Sequence, residues 1–130
     1  MAGNRTSISA GIIVGKLLAE DPDVSSMVTT VFPVAVAKAK LPYVGYRCRE
    51  TEVTAVKAPG APDTVLMEVP CFAAQYRESV RLAEAVRAAL DFREAETEGI
   101  RMRKCMFAGR EEIYEDEAYV QVLLFRVDIR

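Results

Sequence analysis

The sequence predicts an α+β fold: a mainly antiparallel β-sheet with a long hairpin, packed by two α-helices in the order α-β-β-β-α-β-β. Three observations predict it. Residues 76–91 carry a strong helical stripe, residues 43–72 pair an alternating strand with a returning apolar one, and residues 118–130 close the chain with a strand apolar on both faces. With 130 residues and 51% hydrophobic side chains, the whole of 1–130 is expected to form one domain. A chain of that size buries roughly two thirds of its unfolded surface, enough for a core without staples.

Residues 7–20 open the fold as a helix, with Ile8, Ile12, Ile13, Leu17 and Leu18 at helical spacing. Thr6 or Ser7 suits its start, and Asp21-Pro22 its stop. Gly11 and Gly15 each lower helix propensity by roughly 1 kcal/mol relative to Ala, and they leave room for a close neighbour. "DVSSMV" adds a short turn at most. The apolar stretch after Arg5 has the look of a signal peptide, but Lys16 interrupts it and "EDPD" follows it, so it reads as a helix of the folded protein.

The segment "TTVFPVAVAKAKLP" is extended and punctuated by Pro33 and Pro42, with a short edge strand at Val31–Val34. In "YVGYRCRETEVTAV", Val44, Tyr46 and Cys48 share one face while Arg47 and Arg49 share the other. "KAPGAPD" is the turn, and "TVLMEVPCF" returns to complete the hairpin of residues 43–72.

The helix at 76–91 sets Val80, Ala83, Val86 and Leu90 on one face, with Leu82 and Ala89 beside them. Glu84 stands three residues before Arg87, a modest surface pair. "DFREAETEG" reads as a solvated loop, "IRMRKCMF" as a strand and "AGREEIYEDE" as a charged connection. In the last strand, Val120 to Phe125 is apolar on both faces except at Gln121. Such a strand wants cover on both sides. The helices supply one layer, and a neighbouring subunit is a candidate for the other.

Composition narrows the function. A net charge of −2 argues against strong attraction to nucleic acid or acidic membranes. The chain has no histidine, which removes the usual neutral-pH base and the commonest metal ligand. Cys48, Cys71 and Cys105 form no C-x-x-C pair, and each is expected to be buried and reduced.

Motif tests give little chemistry. "AGIIVGKL" fails as a phosphate loop, because Ala10 replaces the first glycine and Leu17 the hydroxyl residue. The carboxylates Glu111, Glu112, Glu115, Asp116 and Glu117 lack the alternating oxygen ligands and glycine of a calcium loop. Arg101, Arg103, Lys104 and Arg110, with Phe107 nearby, form a basic patch that suits either nucleic acid or a neighbour's carboxylates. No catalytic, metal or cofactor residue is expected.

Three segments, taken together, resemble the phage tail-completion family, the tail-terminator or head–tail joining proteins of long-tailed phages. They are Phe32-Pro33 followed by Leu41-Pro42-Tyr43-Val44; the strand–helix unit with Tyr76 at the helix start and Ala85-Val86-Arg87-Ala88-Ala89-Leu90 at its end; and the closing "AYVQVLLFRVDIR". The proline-rich tip "KAPGAPD" departs from the pattern. The resemblance implies a non-enzymatic structural protein without cofactors, located in the virion tail and assembled in the host bacterial cytoplasm. It implies a homo-oligomeric ring, commonly a hexamer, that caps the tail tube, ends its growth and meets the head connector. DNA passes through such a ring without sequence-specific binding.

Subunit contacts are expected at the hairpin and charged turns: Arg47, Arg49, Arg101, Arg103, Glu111 and Glu112. Separate patches of opposite charge suit the heterologous contacts of a ring. Two other readings stay open. One is a small α+β ligand-binding or regulatory module acting as a dimer; the other is an enzyme using a cysteine or paired carboxylates, which requires a thiol of depressed pKa.

Overall fold

The computed structural model describes residues 6–34, 39–53 and 63–129. After a 3₁₀ turn at Ser7–Ser9, helix α1 spans Ala10–Glu20 and α2 spans Pro22–Met27. Strands β1 (Thr30–Pro33), β2 (Tyr43–Glu52) and β3 (Asp63–Ala73) precede helix α3 (Tyr76–Leu90). Strands β4 (Ala95–Thr97), β5 (Ile100–Glu115) and β6 (Ala118–Ile129) complete the chain. No helix among these residues is long and apolar enough to cross a membrane.

The helical expectations hold, with shifted faces. Thr6 caps the 3₁₀ turn by accepting from the Ile8 N–H. The buried stripe of α1 is Ala10, Ile13, Val14, Gly15 and Leu18, which leaves Ile8 89% and Ile12 39% exposed. Asp21-Pro22 ends α1 but also starts α2: the Asp21 carboxylate accepts from the Val24 N–H, and Pro22 takes the first helical position, where its missing N–H costs nothing. In α3 the stripe is Ser79, Leu82, Ala83, Val86, Ala89 and Leu90, with Val80 only half-buried at its edge. Arg87 turns away from Glu84 and instead pairs with Asp91 at 3.4 Å.

The six strands form one sheet in the order β1-β2-β3-β6-β5-β4. All neighbours are antiparallel except β1, which runs parallel to β2 with Val31 opposite Val44. The sheet is curled: α1 touches β1 and β2 near one end of the strand order and β4 and β5 at the other. Its concave side encloses the core, where Val44, Val65, Met67, Val69, Cys71, Leu123, Phe125, Val127 and Ile129 meet the helix stripes.

Gly15 lets α1 lie close against β2. A Cβ there would overlap the hydroxyl end of the Tyr46 ring, so the space opened by the glycine takes a side chain from the sheet. The Tyr46 hydroxyl is correspondingly shifted up by burial.

The second half of the chain departs from its sequence reading. Residues 91–99 are not all loop, since Ala95–Thr97 pairs with Ile100–Met102 around a Glu98-Gly99 turn. Residues 108–115, read as a connection, continue β5 in register with β6 up to Glu115 opposite Ala118. Only Asp116-Glu117 turns the chain, both at positive φ (51° and 62°), the twist a two-residue hairpin turn demands. The sequence "EEIYEDE" hid this strand, because its charge suits solvent and its turn lacks glycine. The tip "KAPGAPD" falls almost wholly outside the described residues.

Candidate assembly surfaces

The pleat gives the sheet a second face that none of the described helices covers. Opposite the core, β6 presents Val120, Val122 and Leu124 before it turns charged at Arg126 and Asp128. Their register partners on β3 are Phe72, Pro70 and Glu68, and on β5 Ile113, Glu111 and Gly109. Tyr43 stacks on Phe72 at 4.3 Å between ring centroids, and Phe32 meets Tyr43 edge-on at 5.7 Å. Tyr43 and Val120 are buried, while Phe32, Pro70, Phe72, Val122 and Leu124 are half-buried. The result is an apolar face with aromatic cover at one end only.

The β5–β6 hairpin is braced where it meets α3. Gln121, buried on the helix side, donates from its amide to Ser79 Oγ at 3.3 Å and to Glu112 Oε2 at 2.9 Å. Tyr76 donates its hydroxyl to the same carboxylate oxygen at 2.6 Å, and Arg110 donates to the Gln121 carbonyl at 3.3 Å. The hydroxyl of Tyr76, followed by the Gln121 amide, holds the Glu112 carboxyl below its usual range; the same bond raises Tyr76. Beyond this brace, Ile113 and Tyr114 are 37% and 62% exposed. From Arg110 to Glu117 one arginine faces five carboxylates, a net charge of −4.

A groove of about 430 Å³ lies at the other side of the sheet, between the start of α1 and the β1 edge. It is lined by Ile8, Gly11, Ile12, Pro33, Val34, Tyr46, Arg47 and Cys48. Val34 has φ of 62° and is 59% exposed, an unusual conformation for a β-branched residue. Its N–H is held by the Tyr46 carbonyl at 2.7 Å.

The six residues expected to make subunit contacts are all exposed, at three separate places. Arg47 borders the groove and pairs with Glu68 across the strands at 2.8 Å. Arg49 does not alternate regularly with it, because a bulge interrupts β2 between Cys48 and Glu50. Arg101 and Arg103 stand at the start of β5, and Glu111 and Glu112 near its far end, on opposite faces. The proposed nucleic-acid patch is also divided. Arg110 is engaged with Gln121 and Glu112, and Phe107 is capped by Arg87 at 4.1 Å while its ring meets Phe125.

The cysteines divide as well. Cys71 and Cys105 are buried as expected, and desolvation raises both thiols, Cys105 to about 12. Cys48 contradicts the expectation by being exposed: it sits next to the bulge at the open side of the groove. Its thiol is also raised, chiefly by desolvation. None of the three has the lowered pKa that a nucleophilic thiol requires. Among the described residues, no group of three or more cysteine or carboxylate side chains is placed to hold a metal ion.

The family model described as Tail completion protein gp17 matches residues 14–130. Among solved structures, a chain from the virion of a native gene transfer agent (GTA) particle is similar, with a TM-score of 0.76 and 17% identity. That match covers 96% of this chain and 98% of the other. The bacteriophage SPP1 gp17 protein is similar at a TM-score of 0.62 and 15% identity, over 94% of this chain and 89% of that one. At such identities the likeness is one of fold. No curated protein sequence matches.

Proposed function

The chain belongs to the tail completion protein gp17 family, and on that premise we propose that it forms a ring at the head-proximal end of the tail tube. Membership makes it a structural protein of a phage tail and a component of the virion. In the proposed role the ring is a homo-oligomer, with six copies the expected number. It ends growth of the tube, contacts the tube protein on one side and the head connector on the other, and lets DNA pass. The chain acts as one domain, without catalysis or cofactor, and assembles in the host bacterial cytoplasm.

One observation carries this reading: the apolar outer face around Val122 and Leu124, which the described part of the chain leaves half-covered. A second copy would remove that surface from water, at roughly 25 cal/mol per Å² of apolar area. The opposite charges at Arg47, Arg49, Arg101 and Arg103 and at Glu111 and Glu112 are candidates for the polar rim of such contacts. A mildly acidic chain also avoids the strong phosphate contacts that would hold DNA in a conduit.

Size-exclusion chromatography with light scattering over a concentration series tests the ring. A discrete species near six copies is expected, either alone or once tail tubes are supplied. A tight dimer that tubes do not change would replace this reading with the binding module.

A further inference from the structure

Two clusters of exposed apolar side chains stand apart on the surface, and their chemistry is complementary. Ile8, Ile12 and Val34 line the groove between α1 and the β1 edge. Ile113 and Tyr114 lie next to the turn of the β5–β6 hairpin, one on each of its faces, with Tyr114 against Tyr119. Of the eight residues lining the groove, the one charged side chain is Arg47, whose Nε is held by Glu68 while the side chain stays half-exposed. The hairpin end carries a net charge of −4 from Arg110 to Glu117. An apolar recess with a half-exposed arginine at its border thus has its counterpart in a narrow protrusion rich in carboxylates, with one large apolar side chain on each face.

No described contact joins the two within one chain. The groove is built on the strand that begins the sheet order, and the tip on the hairpin near its other end. A patch that fits a different patch on an identical molecule makes a heterologous contact, which closes into a ring or runs on as a filament. Two copies docking tip against tip would oppose five carboxylates with five, so the charge rejects a tip-to-tip dimer; a reciprocal tip-in-groove dimer would use the same patches but stop at two copies.

We infer that the β5–β6 tip of one copy docks in the α1/β1 groove of the next. The inference rests on the ring reading and adds to the outer face of β6 a second pair of surfaces for building it. Several otherwise costly features then have a use. The paired strands project Tyr114 into the neighbour, and the Glu112–Gln121–Tyr76 brace fixes the angle at which they do so. Val34, held in a strained left-handed conformation, presents its side chain to the incoming tip.

Exposed Cys48 gives the test its reporter. Glu115→Cys places a second thiol at the end of β5, and a short bifunctional maleimide bridges thiols that come close; Cys71 and Cys105 are buried and do not compete. The contact predicts a ladder of covalent multimers on a denaturing gel, ending at the ring number and lost when Cys48→Ser is added. A second variant, Ile12→Glu on the groove wall, is expected to weaken association at least about tenfold while the monomer melts within a few degrees of wild type. An assembled species that gives no Cys48-dependent ladder, or that Ile12→Glu leaves intact, overturns the contact and spares the ring. A wild-type chain that remains monomeric even with tail tubes overturns both.

Discussion

The two faces of β6 carry similar chemistry and meet different fates. On the helix side, Leu123, Phe125, Val127 and Ile129 are buried beneath α1 and α3. On the other side, Val122 and Leu124 are as apolar but remain half-exposed, with none of the described helices above them. The first face holds the monomer together. The second is spare surface, which the proposed ring would cover. Apolar content alone therefore does not mark the core; the marker is what lies opposite in the fold.

The comparison breaks most visibly at Phe125. This residue is fully buried and meets Phe107 edge-on at 5.7 Å, so Phe125→Ala should cost about 3–5 kcal/mol of stability, read from denaturant melts. On the opposite face, Val122→Lys lies beside Glu111 and should shift monomer stability by about 1 kcal/mol or less. The same variant puts a charge on the surface proposed for assembly and should abolish ring formation in light scattering. Comparable losses of monomer stability in the two variants would end the distinction between the faces.

A gain is expected at the turn of the β5–β6 hairpin. Asp116 and Glu117 both sit in the left-handed region, and replacing the pair by Asn-Gly should raise stability by about 1 kcal/mol. A lower melting temperature in that variant would show that the present pair makes compensating contacts.

The smallest effect should come from the brace, and it depends on pH. The Glu112 carboxyl is held low in the folded state, so its contribution is present above the normal carboxylate range and fades as pH falls through the lowered value. The Tyr76 hydroxyl is held high, so its contribution is present below the normal phenol range and fades as pH rises through the raised value. Tyr76→Phe should therefore differ most from wild type between those limits, with the gap in melting temperature closing in acid. No gap at any pH would mean that ring packing against Tyr119, which phenylalanine keeps, and not the hydrogen bond, supplies the effect.

Much of the fold was legible because it is written locally. Prolines at a helix start (22), a strand end (33) and just before β2 (42), strand alternation at 43–48 and the α3 period each reflect a backbone preference or a two-way partition between water and core. The errors share a cause. Ile8 and Ile12 share the helical spacing yet lie outside the buried stripe, because periodicity gives a face its width but not its centre, which Tyr46 and β2 fix from across the fold. Cys48 alternates with buried residues in sequence, yet sits at the open groove beside a bulge.

The candidate surfaces were less legible than the elements. Arg47, Glu111 and Glu112 stand out in the sequence by charge and by their place on a hairpin or charged turn, and charge does not say which patch has a recess beside it. By itself the sequence determined the element types, their order, a core large enough for an α+β fold and the family likeness, since composition, period and motif are properties of neighbouring residues. Tertiary structure alone decided the curl of the sheet, the extension of β5 through a charged segment, the exposed groove and the uncovered face of β6. Each of these depends on which strands become neighbours, and pairing between distant residues is set by the whole fold rather than by any stretch of it.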